Sequence, residues 1–132
     1  MTDITSSELD FFLKGDDKLP IYLRLREAFL AMAPGCRIQV HKTCISFRAP
    51  RPFVYVSFPF RKNYKGWPRC HLVISFNADA PREHPQVVQS TFIRRGLYTI
   101  HAVVPYPGQL DGELLDLVNF SLHYRNRTEV SP

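Results

Sequence analysis

Upstream of Pro34-Gly35 the apolar residues of this chain recur every third or fourth position, and downstream of it every second one. That change of period constrains the fold more than any other feature, because a helix presents one stripe and a strand alternates its faces. Arg37-Ile38-Gln39-Val40-His41 alternates, as do Ile45-Ser46-Phe47-Arg48 and Phe53-Val54-Tyr55-Val56-Ser57-Phe58. Ala49-Pro50-Arg51-Pro52 breaks the last two runs apart and reads as a hairpin connection. Residues 70–76 form a further strand, rich in β-branched and aromatic side chains. Beyond a Pro-containing loop, 87–93 and 98–104 read as two more extended segments.

The two ends of the chain read as helix. Ser7 followed by Asp10 suggests a capping arrangement, Leu9, Phe12 and Leu13 an apolar face, and Gly15 a stop. Pro20 suits the first turn of a longer helix, along which Ile21, Leu25, Ala28, Phe29 and Met32 recur until Pro34-Gly35. At the other end Asp111 can cap a helix whose apolar face is Leu114, Leu115, Val118 and Leu122. The order helix, helix, strands, helix in 132 residues predicts one α+β domain. Its expected form is a largely antiparallel sheet of five to six strands, with helices from both termini packed on one face. The other face is then open to water or to a partner. Phe11, Phe12, Tyr22 and Phe120 cannot all enter one core, which leaves an exposed aromatic patch suited to a dimer contact.

His41-Lys42-Thr43-Cys44-Ile45-Ser46-Phe47-Arg48, Phe53-Val54-Tyr55-Val56, the strand running from Trp67 to Phe76 and the closing Glu113-Leu114-Leu115 resemble a bacterial family of domains of unknown function. The likeness covers nearly the whole chain. In that family's pattern a Lys-Thr-x-Ile-x-Phe strand follows the long helix and a His lies in the last strand; Lys42, Thr43, Ile45, Phe47 and His101 match. The family is similar in outline to small YdhG-like and YjbR-like α/β domains. The resemblance implies a helix-covered antiparallel sheet and no particular activity.

Several function classes are disfavoured. No apolar run approaches the ~20 residues of a membrane helix, and the polar, acidic start lacks a signal peptide's basic and apolar regions. Three cysteines, Cys36, Cys44 and Cys70, without such a signal suggest free thiols and a cytoplasmic location. The Asn119-Phe120-Ser121 and Asn126-Arg127-Thr128 sequons then carry no glycan. Cys70-His71 and the Cys36–Cys44 spacing match no zinc pattern, so neither a metal nor a cofactor is expected. Phosphate-loop, dinucleotide, nucleophile-elbow and zinc-protease motifs are missing from the sequence.

Charge is distributed unevenly. Residues 28–110 hold eleven bases against Asp79 and Glu83 alone, whereas 1–27 hold four against six carboxylates and 111–132 two against four. No carboxylate lies between Glu27 and Asp79. A surplus of nine in the middle, within a net charge of +5, focuses positive potential on one part of the molecule. Arg61, Lys62, Lys65 and Arg69 interleave there with Tyr64 and Trp67, as bases and aromatics do in single-stranded nucleic-acid sites. A solvated basic loop with Trp67 tucked into the core is the bland reading.

Strand alternation places Gln39 and His41, Ser46 and Arg48, Tyr55 and Ser57, His71 and Ser75, and Thr99 and His101 opposite the apolar sets. The expected function is a non-catalytic binding module for an anionic ligand or nucleic acid. Its contacts would be Lys42, Arg48, Arg51, Tyr55, Arg61, Lys62, Tyr64, Lys65, Trp67, Arg69, His71 and His101. One alternative is a small enzyme using His41, His71 or His101 with Tyr55 or Cys44 on the open sheet face. No strand carboxylate is available to orient such a histidine. The other alternative is a homodimeric interaction protein.

Overall fold

The computed structural model describes residues 4–59, 70–106 and 110–126. Helix α1 (Ser6–Phe11) leads through a 3-10 turn (Asp16–Lys18) into α2 (Leu19–Met32). Strands β1 (Arg37–Val40), β2 (Cys44–Arg48), β3 (Pro52–Ser57), β4 (His71–Ala78), β5 (Val87–Arg94) and β6 (Leu97–Pro105) follow, and α3 (Gly112–Arg125) closes the chain. The strands form one fully antiparallel sheet in the order β1-β2-β3-β4-β6-β5. This is the α+β architecture that the change of period predicts.

The cap of α1 lies two residues earlier than expected. Thr5 Oγ1 accepts from Glu8 N while the Glu8 carboxylate accepts from Thr5 N, a reciprocal capping box that Ser7 and Asp10 do not make. Asp111 caps α3 as anticipated, accepting from Leu114 N at 2.7 Å, and His84 Nε2 lies 3.1 Å from the same carboxylate. Gly35, with φ +82°, supplies the left-handed turn that ends α2's run and feeds β1.

Helices from both termini cover one face of the sheet. Ile45 and Phe47, Val54 and Val56, Leu72, Ile74 and Phe76, and Ile100, Ala102 and Val104 point toward them. Tyr22, Leu25 and Phe29 from α2 and Leu114, Val118 and Leu122 from α3 complete the core. Phe53 enters the same core against the Phe29 ring, although alternation would send it to the far face. A register shift between Phe47 and Arg48 makes it the extra residue of a bulge, and a bulge re-aims a side chain. The β3–β4 ladder runs as far as Val54↔Phe76. On the next rung α3 intrudes: Ser121 Oγ accepts from Asn77 N at 2.9 Å and donates to Phe53 O at 2.6 Å.

Candidate functional site

The register aligns the polar alternates into one row across the far face. Gln39 faces Ser46, Ser46 faces Tyr55, Tyr55 faces Ser75, Ser75 faces His101, and His101 faces Gln89. Two hydroxyl–imidazole pairs lie in or beside this row: His41 Nε2 is 3.0 Å from Ser46 Oγ, and His101 Nδ1 is 2.8 Å from Ser75 Oγ. Burial pushes the His101 imidazole below its ordinary pKa, favouring the neutral ring at neutral pH.

This face is less open than alternation suggests. Ser46, Ser57, His71 and Ser75 are buried, as are Val73 and Val103, while Gln39 is exposed and Tyr55 half-buried. Nor do the three histidines converge. His41 follows β1 and His101 lies on β6, four strand spacings or about 19 Å away. His71 is four residues along β4 from the rung of His101, about 13 Å. Sequence gives each histidine's face, but strand order sets the distances.

Where β2 and β3 meet α1, the face opens into a cleft of about 820 Å³. Such a volume is ordinary for a small-molecule site. Lys14, following α1, and Lys42, in the β1–β2 turn, bring two cationic groups to its rim, with Asp10 as the one carboxylate among its described lining. Thr43, Tyr55, Ser57 and Ser75 contribute hydroxyls, and Phe11, Leu13, Phe58 and Pro59 the apolar wall. Phe11 and Phe58 stack with 5.1 Å between centroids and 4° between planes. Phe12 meets the edge of the same Phe58 ring, so the wall is tied to the core.

Ser57 marks this cleft. It is 5% exposed, lines the cavity, and its Oγ has no hydrogen-bond partner among the described residues. Buried hydroxyls are nearly always satisfied, and this one belongs to a residue that lines a cavity rimmed by lysines. Cys44 lines the cleft as well, but burial pushes its thiol pKa up, which disfavours the nucleophilic thiolate.

No family model matches the chain, and neither a curated protein nor a solved structure is significantly similar to it. Local chemistry therefore carries the functional argument. Of the expected contacts, Lys42 and Tyr55 meet in the cleft and His101 stands behind its Ser75. Arg48 sits at the opposite end of β2, and Arg51 in the β2–β3 turn, where Asn126 Oδ1 accepts from its backbone N–H at 2.7 Å. His71 is buried. Arg61, Lys62, Tyr64, Lys65, Trp67 and Arg69 lie outside the described residues.

Sequence reading missed Lys14, Ser57 and Ser75 as cleft residues. Lys14 looked like part of an acidic helical end, and the serines carried no signal beyond their strand face. Among the described residues, bases of the middle segment stand at both sheet edges: Arg37, Lys42 and Arg48 lie by β1 and β2, and Arg94 and Arg95 by β5. Arg82 pairs with Asp79 at 2.8 Å, its guanidinium 4.9 Å from the centroid of Phe120. Among the described residues no group of three His, Cys, Asp or Glu side chains is placed to hold a metal ion, and no helix is long and apolar enough to cross a membrane.

Proposed function

We propose that this chain is a binding module for an anionic ligand held in the cleft between α1 and the β2–β3 strands. The carrying observation is Ser57, a buried hydroxyl without a partner among the described residues, in a cavity whose rim holds Lys14 and Lys42. The lysines attract the anion, the hydroxyls of Thr43, Ser57 and Ser75 fix its orientation, and Tyr55 and Phe58 bury its apolar part. The raised Cys44 pKa and the separated histidines favour binding over catalysis. Membership of the bacterial family belongs to the same proposal: Lys42 and Thr43 of its strand pattern line the cleft, and His101 pairs with the Ser75 beside it. The free thiols Cys36, Cys44 and Cys70 support a reducing compartment such as the cytoplasm.

The test is calorimetric titration with orthophosphate and with benzoate, a small anion with an apolar ring. Lys14→Ala with Lys42→Ala is expected to abolish measurable binding. Ser57→Ala is expected to weaken it about tenfold, the worth of one hydrogen bond to a charged group. Binding that ignores all three substitutions overturns the assignment.

A further inference from the structure

At the other end of the same hairpin face two arginines stand side by side. Arg37 on β1 and Arg48 on β2 are direct cross-strand partners, so both side chains leave the sheet on the same side. Like charges placed directly opposite are unfavourable for folding. Neither guanidinium takes part in an ion pair among the described residues. Gln39 Oε1 accepts from Arg48 Nη1 at 3.4 Å. The pair borders a hollow of about 530 Å³ whose other walls are Pro34, Gly35, Cys36, Ala49 and Pro50, none of which is acidic.

We infer that Arg37 and Arg48 together hold a phosphodiester of a single-stranded nucleic acid, whose chain runs along the β1–β2 face toward Lys42. Two guanidinium forks on neighbouring strands suit one phosphate's oxygens, and a bound phosphate relieves the repulsion that the fold leaves in place. From Cys44, beside Lys42, to Arg48 is four residues of strand, about 13 Å, so the two cationic ends lie on one extended path. Between them Gln39 is exposed and Tyr55 half-buried, an amide for base edges and a ring for stacking. A linear polyanion can reach both cationic ends of this face at once, which a compact ligand in the cleft does not. The inference rests on the cleft reading for its Lys42 end and stands independently at the arginine end.

The experiment titrates a fluorescent oligothymidylate of about twelve residues, a length within the usual range for single-strand modules, into the full chain over a salt series. Wild-type affinity should fall linearly with salt on logarithmic axes. Arg37→Ala with Arg48→Ala should lower that slope by about 0.7, the contribution of the one single-strand phosphate the pair holds. Arg82→Ala, at the other side of the fold, should leave the slope unchanged. Orthophosphate binding in the cleft should survive the double substitution, which separates the two sites. If orthophosphate fails to bind the wild type while the arginine pair still sets the oligonucleotide slope, the cleft reading falls and this one holds. An unchanged slope in the double variant overturns the inference. So does tighter binding of a duplex of the same length, or failure of the oligonucleotide to bind a protein that binds orthophosphate.

Discussion

Arg26 Nε donates to Glu8 Oε2 at 2.7 Å, with side-chain exposures of only 8% for the arginine and 1% for the glutamate. The Tyr22 hydroxyl donates to the same oxygen and Thr5 closes the capping box on the other. This cluster fastens α1 to α2, and α1 leads into Lys14 on one side of the cleft. Burial by itself would raise the Glu8 pKa. Hydrogen bonds from Arg26, Tyr22 and Thr5, together with the arginine's charge, outweigh it and hold the carboxyl below its ordinary range.

Glu8→Gln is therefore expected to destabilise the fold by about 3–5 kcal/mol, the cost of leaving a buried charge without its counterion. The pH dependence follows from the lowered pKa. A carboxylate depressed on folding contributes stability that is full above its unfolded value of 4.5 and is lost as pH falls through the folded value. Denaturant midpoints measured from pH 7 downward should show an acid loss below about 4.5 in the wild type and a shallower one in Glu8→Gln. Parallel curves for the two proteins would contradict the role assigned to Glu8.

His101 governs a different window. Its pKa is lowered by burial, so below 6.5 the unfolded chain takes up a proton that the folded one resists. Stability should decline as pH drops from 6.5 toward the folded value, and His101→Asn should remove that part of the decline. Proton chemical shifts of the ring, followed by NMR, report the titration directly.

Ser121→Ala is predicted to cost about 1–3 kcal/mol, because it leaves Asn77 N–H and Phe53 C=O facing each other without the bridging hydroxyl. Amide hydrogen exchange at Asn77 should accelerate well beyond its neighbours on β4. Uniform exchange across the strand would mean that the ladder closes by itself.

Gly15→Ala tests the cleft wall. A Cβ there would stand 2.7 Å from Phe58 Cε1, and that ring is already held by Phe11 and Phe12. Displacing it should destabilise the protein by about 1–3 kcal/mol, as overpacking does. The same change should weaken benzoate binding more than orthophosphate binding, since only the former uses the apolar wall.

Periodicity alone was enough for the α+β class, the six extended segments and the face of the strand residues outside the bulge at Phe53. Those properties follow from local backbone geometry, in which a side chain's direction depends on its position along its own strand. Ser46, Tyr55, Ser75 and His101 could be assigned to one face in this way. Their distances could not, because the 6-5 swap at the end of the strand order and the bulge at Phe53 are products of long-range packing. The cleft is likewise a tertiary product: Lys14, Lys42 and Ser57 are far apart in sequence and meet only because the Glu8–Arg26 cluster fixes α1 beside the β1–β2 turn. The run without carboxylates from residue 28 to 78 determined that the strands would be basic. Only antiparallel pairing decided that Arg37 and Arg48 would face each other, since register is set by the turn and by which alternates the helices must cover.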